Sequence, residues 1–178
     1  RGYEALVKTA GQQHLIEDIN LSYIMEGETE SVEFKSTLRK NLHTGKIDHR
    51  IEHAALKTIC AFLNKDGGTL FIGVTDDGSP IGIDQDSFDG DEDKMSLHLV
   101  NLVNQRIGKE ITPLLKIHFE DFEDERIMTI KSPASSRPIF LKSNSKDNLP
   151  MEEFWIRSGT SSHQLSPSQT QSYLEQRF

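Results

Sequence analysis

Apolar positions recur along this chain at two spacings, and together they sketch a mixed fold. Val32 and Phe34 alternate with Glu33 and Lys35, the period of a strand with one face turned inward. From Asp48 the interval changes. Ile51, Ala54, Ala55, Thr58, Ile59 and Phe62 predict an amphipathic helix over 48–63 with Asp48 as its N-cap, and Asn64-Lys65-Asp66-Gly67-Gly68 ends it. In Gly68 to Thr75, Leu70, Phe71, Ile72 and Val74 leave no polar face, so an interior strand is expected, with Ile59 and Phe62 packed against it. Asp76-Asp77-Gly78-Ser79 is a turn by its chemistry, and Pro80 to Ile83 is expected to open an edge strand. Met95, Leu99, Leu102, Val103 and Ile107 predict a second helix over 94–108. Strands are expected at 114–120, 126–131, 137–142 and 153–158, with Glu123-Asp124-Glu125 turning the first pair. Ser166-Pro167 opens a closing helix that runs to Arg177. Residues 1–25 read as helical with a break at Gly11, a linker helix or the tail of an upstream region, and 26–178 as the domain. The class is α/β in the α+β sense: a mixed, largely antiparallel sheet flanked by helices.

Composition narrows the functions. With 178 residues there is room for one domain with a real core. No apolar run reaches the roughly 20 residues of a membrane span, so no membrane contact is expected within this segment. The single cysteine, Cys60, excludes an internal disulfide and a Cys-based zinc finger, and it fits a reducing compartment, the cytoplasm. The start at Arg1 without a signal peptide reads as a portion of a longer protein. The net charge of −8 excludes a nucleic-acid binder that is basic throughout. Six acids between Asp84 and Asp93 account for most of that excess and read as a solvated, mobile loop capping the next helix. From Arg126 onward bases outnumber acids, which allows a basic patch on one face.

Several motifs point to chemistry. Gly68 and Gly73 have the spacing of a phosphate loop, but Val74 and Thr75 stand where Lys and Ser/Thr are needed, so the strand reading holds. His49-Arg50-Ile51-Glu52-His53 matches the H-x-x-E-H pattern of inverted zinc peptidases, yet it also suits a polar helix start and lacks an obvious third ligand. An EF-hand aligned on Gly90 would place Gln85, Ser87 and Ser96 at ligand positions, and fails. Glu28, Glu30 and Glu33 precede or enter the first strand, and Asp76 sits at the exit of the central one. Glu28 and Glu33 are an odd number apart, so they converge only if Glu28 lies on the preceding loop. Converging carboxylates raise each other's pKa, a penalty that a divalent metal removes while activating water against a phosphodiester. By spacing alone the metal reading is weak, and Glu33 beside Lys35 reads simply as a solvated strand face and Asp76 as an ordinary turn residue.

Longer blocks carry a resemblance. Glu30-Ser-Val-Glu-Phe-Lys35, then Ile59 through Gly78, Pro80 to Ile83, Arg137 to Lys142, Phe154 to Ser162 and Leu165-Ser-Pro167 resemble the Schlafen AlbA-type domain in order and spacing. The resemblance implies an α/β domain that in bacteria is commonly assigned DNA or ATP binding. In vertebrate Schlafens a paired version cleaves transfer RNA and other structured RNA. It implies a metal-dependent endoribonuclease in which Glu28, Glu33 and Asp76 hold Mg²⁺ or Mn²⁺, with Glu30 a rival for the first position. Lys35, Lys142 and Arg157, within or at the ends of the matched blocks, are then candidate phosphate contacts. The alternative is a non-catalytic DNA-, RNA- or nucleotide-binding regulatory module, with Gly159 to Ser162 offering backbone N–H groups to phosphate. Only one such unit is present and its 36–53 insert is long, so a homodimer is expected to supply the second wall of a groove.

Overall fold

A computed structural model describes residues 22–178. The helical reading of 1–25 therefore falls outside the described residues up to position 21; residues 22–26 are helical. The central sheet has four strands in the order β1-β2-β4-β3: β1 (Val32–Lys35), β2 (Gly68–Ile72), β3 (Lys116–Phe122) and β4 (Glu125–Ser132). β1 runs parallel to β2, while β2–β4 and β3–β4 are antiparallel. β2 is thus interior, as its unbroken apolar run requires.

A parallel pair needs a long crossover, and α1 (His49–Leu63) supplies it. Asp48 caps α1 by accepting from the Arg50 N–H at 3.0 Å. The second helix, α2 (Glu92–Arg106), begins two residues earlier than its apolar pattern, because Asp91 is its N-cap and accepts from the Lys94 N–H. One core joins Leu56, Ile59, Phe62 and Leu63 of α1 and Met95, Leu99 and Val103 of α2 to Leu70, Ile72, Met128 and Ile130 of the sheet. The opposite face buries Val32, Phe34, Phe71, Phe122 and Ile127 beneath Ile24.

Beyond the sheet lie two ribbons, β5 (Leu141–Asn144) with β6 (Pro150–Glu153) and β7 (Trp155–Ser158) with β8 (Ser161–Gln164). The strand expected at 153–158 is therefore two strands, divided at buried Phe154, whose carbonyl accepts from the Leu165 N–H. Gly159-Thr160 is the turn of the second ribbon. Asn64, fully buried, binds the ribbons to the end of α1: its side chain donates to the Ile139 and Trp155 carbonyls and accepts from the Ile139 N–H. The closing helix, α3 (Pro167–Arg177), opens with a capping box between Ser166 and Gln169.

Three expectations change. Of the strand expected at 137–142 only Leu141 and Lys142 are strand, and it runs on to Asn144. Pro80 to Ile83 is not a strand. Gly73 turns at φ +93° and a Cβ there would meet the Gly82 backbone at 3.0 Å, so the segment lies against Gly73, whose carbonyl accepts from the Ile81 and Gly82 N–H groups. The acidic stretch is also more than a solvated loop, since Asp86 and Phe88 are buried. Among the described residues no helix is long and apolar enough to cross a membrane.

Candidate nucleic-acid interface

β1 is an edge strand, and its closure builds the site. Thr69 donates to the Ser31 carbonyl and Gly73 to the Lys35 carbonyl, so odd-numbered residues of β1 face β2. The groups of Val32 and Phe34 point outward. A tight turn brings the chain back onto them: Thr29 and Val32 form a bridge, and Glu28 Oε1 accepts from the Phe34 N–H at 2.9 Å. Glu28 thus lies on the preceding loop, the condition its odd spacing from Glu33 imposes.

Glu33 projects to the side opposite Phe34. Its Oε1 accepts from Lys35 Nζ at 3.1 Å, and its Oε2 is 2.7 Å from Arg157 Nη1. Asp76 is exposed on the turn after β2, which packs against Ile24 and the Phe34 ring through Gly78. The three carboxylates share one field. Burial raises the Glu28 pKa, the Phe34 N–H opposes that, and Glu33 and Asp76 both push it further up against Lys35. Glu30 is elsewhere: it is exposed and pairs with Lys65 Nζ at 2.7 Å, which lowers its pKa. Glu28, unlike Glu30, feels the charges of Glu33 and Asp76, while Glu30 is held by Lys65.

Beside this group opens a cleft of about 560 Å³, lined on one side by Lys35 and Asp76 and on the others by Lys40, His43, Asp48 and Arg50. Arg50 holds Asp48 through two hydrogen bonds, Nε to Oδ1 at 3.0 Å and Nη2 to Oδ2 at 2.7 Å.

This fold and its blocks have a counterpart among known families. Residues 28–166 match the family described as Schlafen, AlbA_2. The chain belongs to the Schlafen AlbA_2 family. Among solved structures, the DIP2311 protein of Corynebacterium diphtheriae is similar at a TM-score of 0.55 and 18% identity, over 83% of this chain and 24% of that one. The chain thus spans about a quarter of that protein's length. The N-terminal domain of a RecG-related protein of Nitrosomonas europaea is similar at a TM-score of 0.47 and 19% identity, over 82% of this chain and 90% of that one.

The other expected contacts lie apart in the Schlafen AlbA_2 domain. Lys142 is exposed on β5, in a separate cleft of about 690 Å³ with Arg106, Ser143 and Glu152. Arg157, expected on phosphate, is 1% exposed. Its Nη2 donates to the Thr29 and Val32 carbonyls at 2.9 and 3.1 Å, and its guanidinium lies 5.3 Å from the Phe62 ring centre. Arg157 thereby holds the turn that carries Glu28 and the carboxylate of Glu33.

The zinc reading of His49, Glu52 and His53 does not survive. Glu52 is buried and accepts from His49 Nδ1 and His98 Nε2, each at 2.7 Å. His53 turns away to Glu153, with Nε2 at 3.1 Å from Oε2, and accepts from Arg106 Nη2 on Nδ1. The Schlafen resemblance implies Mg²⁺ or Mn²⁺, and carboxylate oxygens suit such hard cations in kind. The spacing does not close a site: among the described residues no three His, Cys, Asp or Glu side chains are grouped to hold a metal, and two cations already neutralise Glu33.

Missed in the sequence were Lys40, His43 and Arg50. The Asp48 cap and the turn-forming Asn41 and Gly45 were the available signals that this stretch is ordered.

Proposed function

We propose that this domain binds nucleic acid, structured RNA foremost, along the cleft beside β1. One observation carries the reading. In a chain of net charge −8, the cleft is lined by Lys35, Lys40, Arg50 and His43 beside the two acids Asp48 and Asp76, with Glu33 holding Lys35 at its edge. Membership of the Schlafen AlbA_2 family supports it. Lys35 and Lys40 face the phosphates, and Lys142 and Arg106 extend contact into the second cleft. The test is binding of a labelled transfer RNA, with duplex DNA as competitor, across a salt series. Lys35→Ala with Lys40→Ala should weaken binding and flatten its salt dependence. Wild-type protein that binds neither ligand overturns the reading.

A second reading, a metal-dependent endoribonuclease, is favoured by the repulsion that Glu33 and Asp76 exert on Glu28. A cation site there would require Glu33 to give up its pairs with Lys35 and Arg157. Asp76→Asn should keep folding and RNA binding while cleavage in Mg²⁺ or Mn²⁺ falls by several orders of magnitude. Wild-type protein that binds RNA but never cuts it leaves the domain a non-catalytic binding module. A homodimer that supplies a second wall would appear in light scattering at high concentration.

A further inference from the structure

The cleft has one wall that the carboxylates do not use. Between β1 and α1, residues 39–48 form a hairpin. Lys40 bridges Ile47, and at 2.8 Å each the Asn41 N–H donates to the Lys46 carbonyl, Gly45 to Asn41 and Asp48 to Arg39. Asn41 Oδ1 closes the tip by accepting from the His43 and Thr44 N–H groups. The base is pinned to the loop before α2. Buried Asp86 accepts from the Leu38 N–H at 2.5 Å and the Lys40 N–H at 3.2 Å, and Arg39 Nε donates to Ser87 Oγ at 2.7 Å with its guanidinium 4.2 Å from the Phe88 ring centre.

A hairpin closed by these backbone bonds and pinned at its base carries its side chains on an ordered backbone. Two of them are large, apolar and open to solvent: Leu42 at 45% and Ile47 at 51% exposure. Around them stand Lys40, Lys46, His43 and Arg50, and Asp48, the one acid from Lys40 to Arg50, is already paired with Arg50. Cations and apolar tips on a fixed arm, in a chain that is otherwise acidic, form a surface complementary to a polyanion with exposed apolar faces. Leu42, His43 and Lys40 line the same cleft as Lys35 and Asp76.

We propose that this hairpin is an RNA-gripping arm. Leu42 and Ile47 press on the unstacked bases of a loop, and Lys40, Lys46 and Arg50 take the flanking phosphates. The choice of loop follows from shape. The major groove of an A-form stem is too deep and narrow for side chains to read, whereas loop bases offer their apolar faces. The proposal rests on the reading of the cleft as an RNA site and adds which part of an RNA the domain selects.

The experiment compares binding, by fluorescence anisotropy, of a labelled RNA stem-loop and of the blunt duplex of the same stem. The proteins are the full chain, Leu42→Ser with Ile47→Ser, Lys46→Glu, and Lys35→Ala as a cleft control, all checked for unchanged thermal midpoints. The wild type should prefer the stem-loop. The double variant should lose about tenfold on the stem-loop, keep its affinity for the duplex and keep its salt slope, because it removes no charge. Lys46→Glu, at a side chain with no hydrogen bond or ion pair to the described residues, should weaken both ligands and reduce the salt slope by about one or more. If the double variant binds the stem-loop like the wild type while Lys35→Ala still weakens it, the arm is overturned and the cleft reading stands. If the double variant turns a dimer into a monomer with RNA affinity unchanged, the apolar pair joins two copies and the proposal falls. A wild type that binds no RNA overturns both.

Discussion

Arg157 Nη1 lies 2.7 Å from Glu33 Oε2, and the same guanidinium reaches the carbonyls of Thr29 and Val32. One buried side chain from β7 therefore sets both the carboxylate of β1 and the turn that brings Glu28 back beside it. Removing it leaves Glu33 with Lys35 alone and the two carbonyls without their donor. Arg157→Met should cost about 3–5 kcal/mol, the scale for breaking a buried pair from one side. Arg157→Lys should not restore it, since an ammonium cannot span the same three acceptors. Urea unfolding gives the measurement, and a loss under about 1 kcal/mol would show that the guanidinium is dispensable.

Glu28→Gln separates folding from chemistry. Repulsion from Glu33 and Asp76 adds to burial in raising the Glu28 pKa, so the folded state holds this proton to higher pH than the unfolded chain does. Deprotonation then costs stability as pH rises through that window. The amide keeps an acceptor for the Phe34 N–H and removes the charge. Stability at pH 7 should rise by roughly 0.5 kcal/mol, a modest figure because the carboxylate is partly solvated. The gain should vanish below the ordinary glutamate pKa, and any Mn²⁺ binding seen calorimetrically in the wild type should weaken. A variant less stable than the wild type at pH 7 would contradict the repulsion.

His53 gives the opposite pH sign at another place. Burial depresses its pKa, Glu153 opposes this, and Arg106 and Lys57 reinforce it. Below about pH 6.5 the unfolded chain takes up this proton more readily than the folded one, so the contribution falls as pH drops from there. Arg106 also donates to His53 Nδ1, a bond that the imidazolium cannot accept. Denaturant midpoints from pH 7.5 to 5 should decline less steeply in His53→Gln than in the wild type; equal slopes would remove His53 from the account.

Phe62 and Gly68 form a matched pair in the core. Phe62 is fully buried, and a Cβ on Gly68 would stand 2.5 Å from its ring. Phe62→Ala should cost about 3–5 kcal/mol. Gly68→Ala should cost about 1–3 kcal/mol by overpacking, and Phe62→Leu should recover part of that loss. Strictly additive costs would mean that the two positions do not share the space.

Periodicity made β1, α1 and α2 legible, because each buries a face that repeats every two or three to four residues, and β2 was legible from its unbroken apolar run. β8 carries Ser161, Ser162, His163 and Gln164, with no apolar repeat to read, and it forms because the Gly159 turn folds it onto β7. Pro80 to Ile83 had the right residues for a strand, but the Gly73–Gly82 approach decides its path and depends on backbone that no pattern encodes. In the site, the parity of Glu28 and Glu33 carried the condition that the Glu28 loop meets. The pairing of Glu33 with Arg157 spans most of the chain. A basic residue in a familiar block reads as a surface contact until packing shows which way it turns.

The closure of β1 has a consequence for assembly. Glu28, Thr29 and Arg157 occupy the outward groups of Val32 and the N–H of Phe34, so no incoming strand can add to that side of the sheet without displacing them. Growth of the central sheet between copies is thereby directed to β3, at its far margin from the carboxylates, and a second copy could join the sheet there while leaving the cleft open.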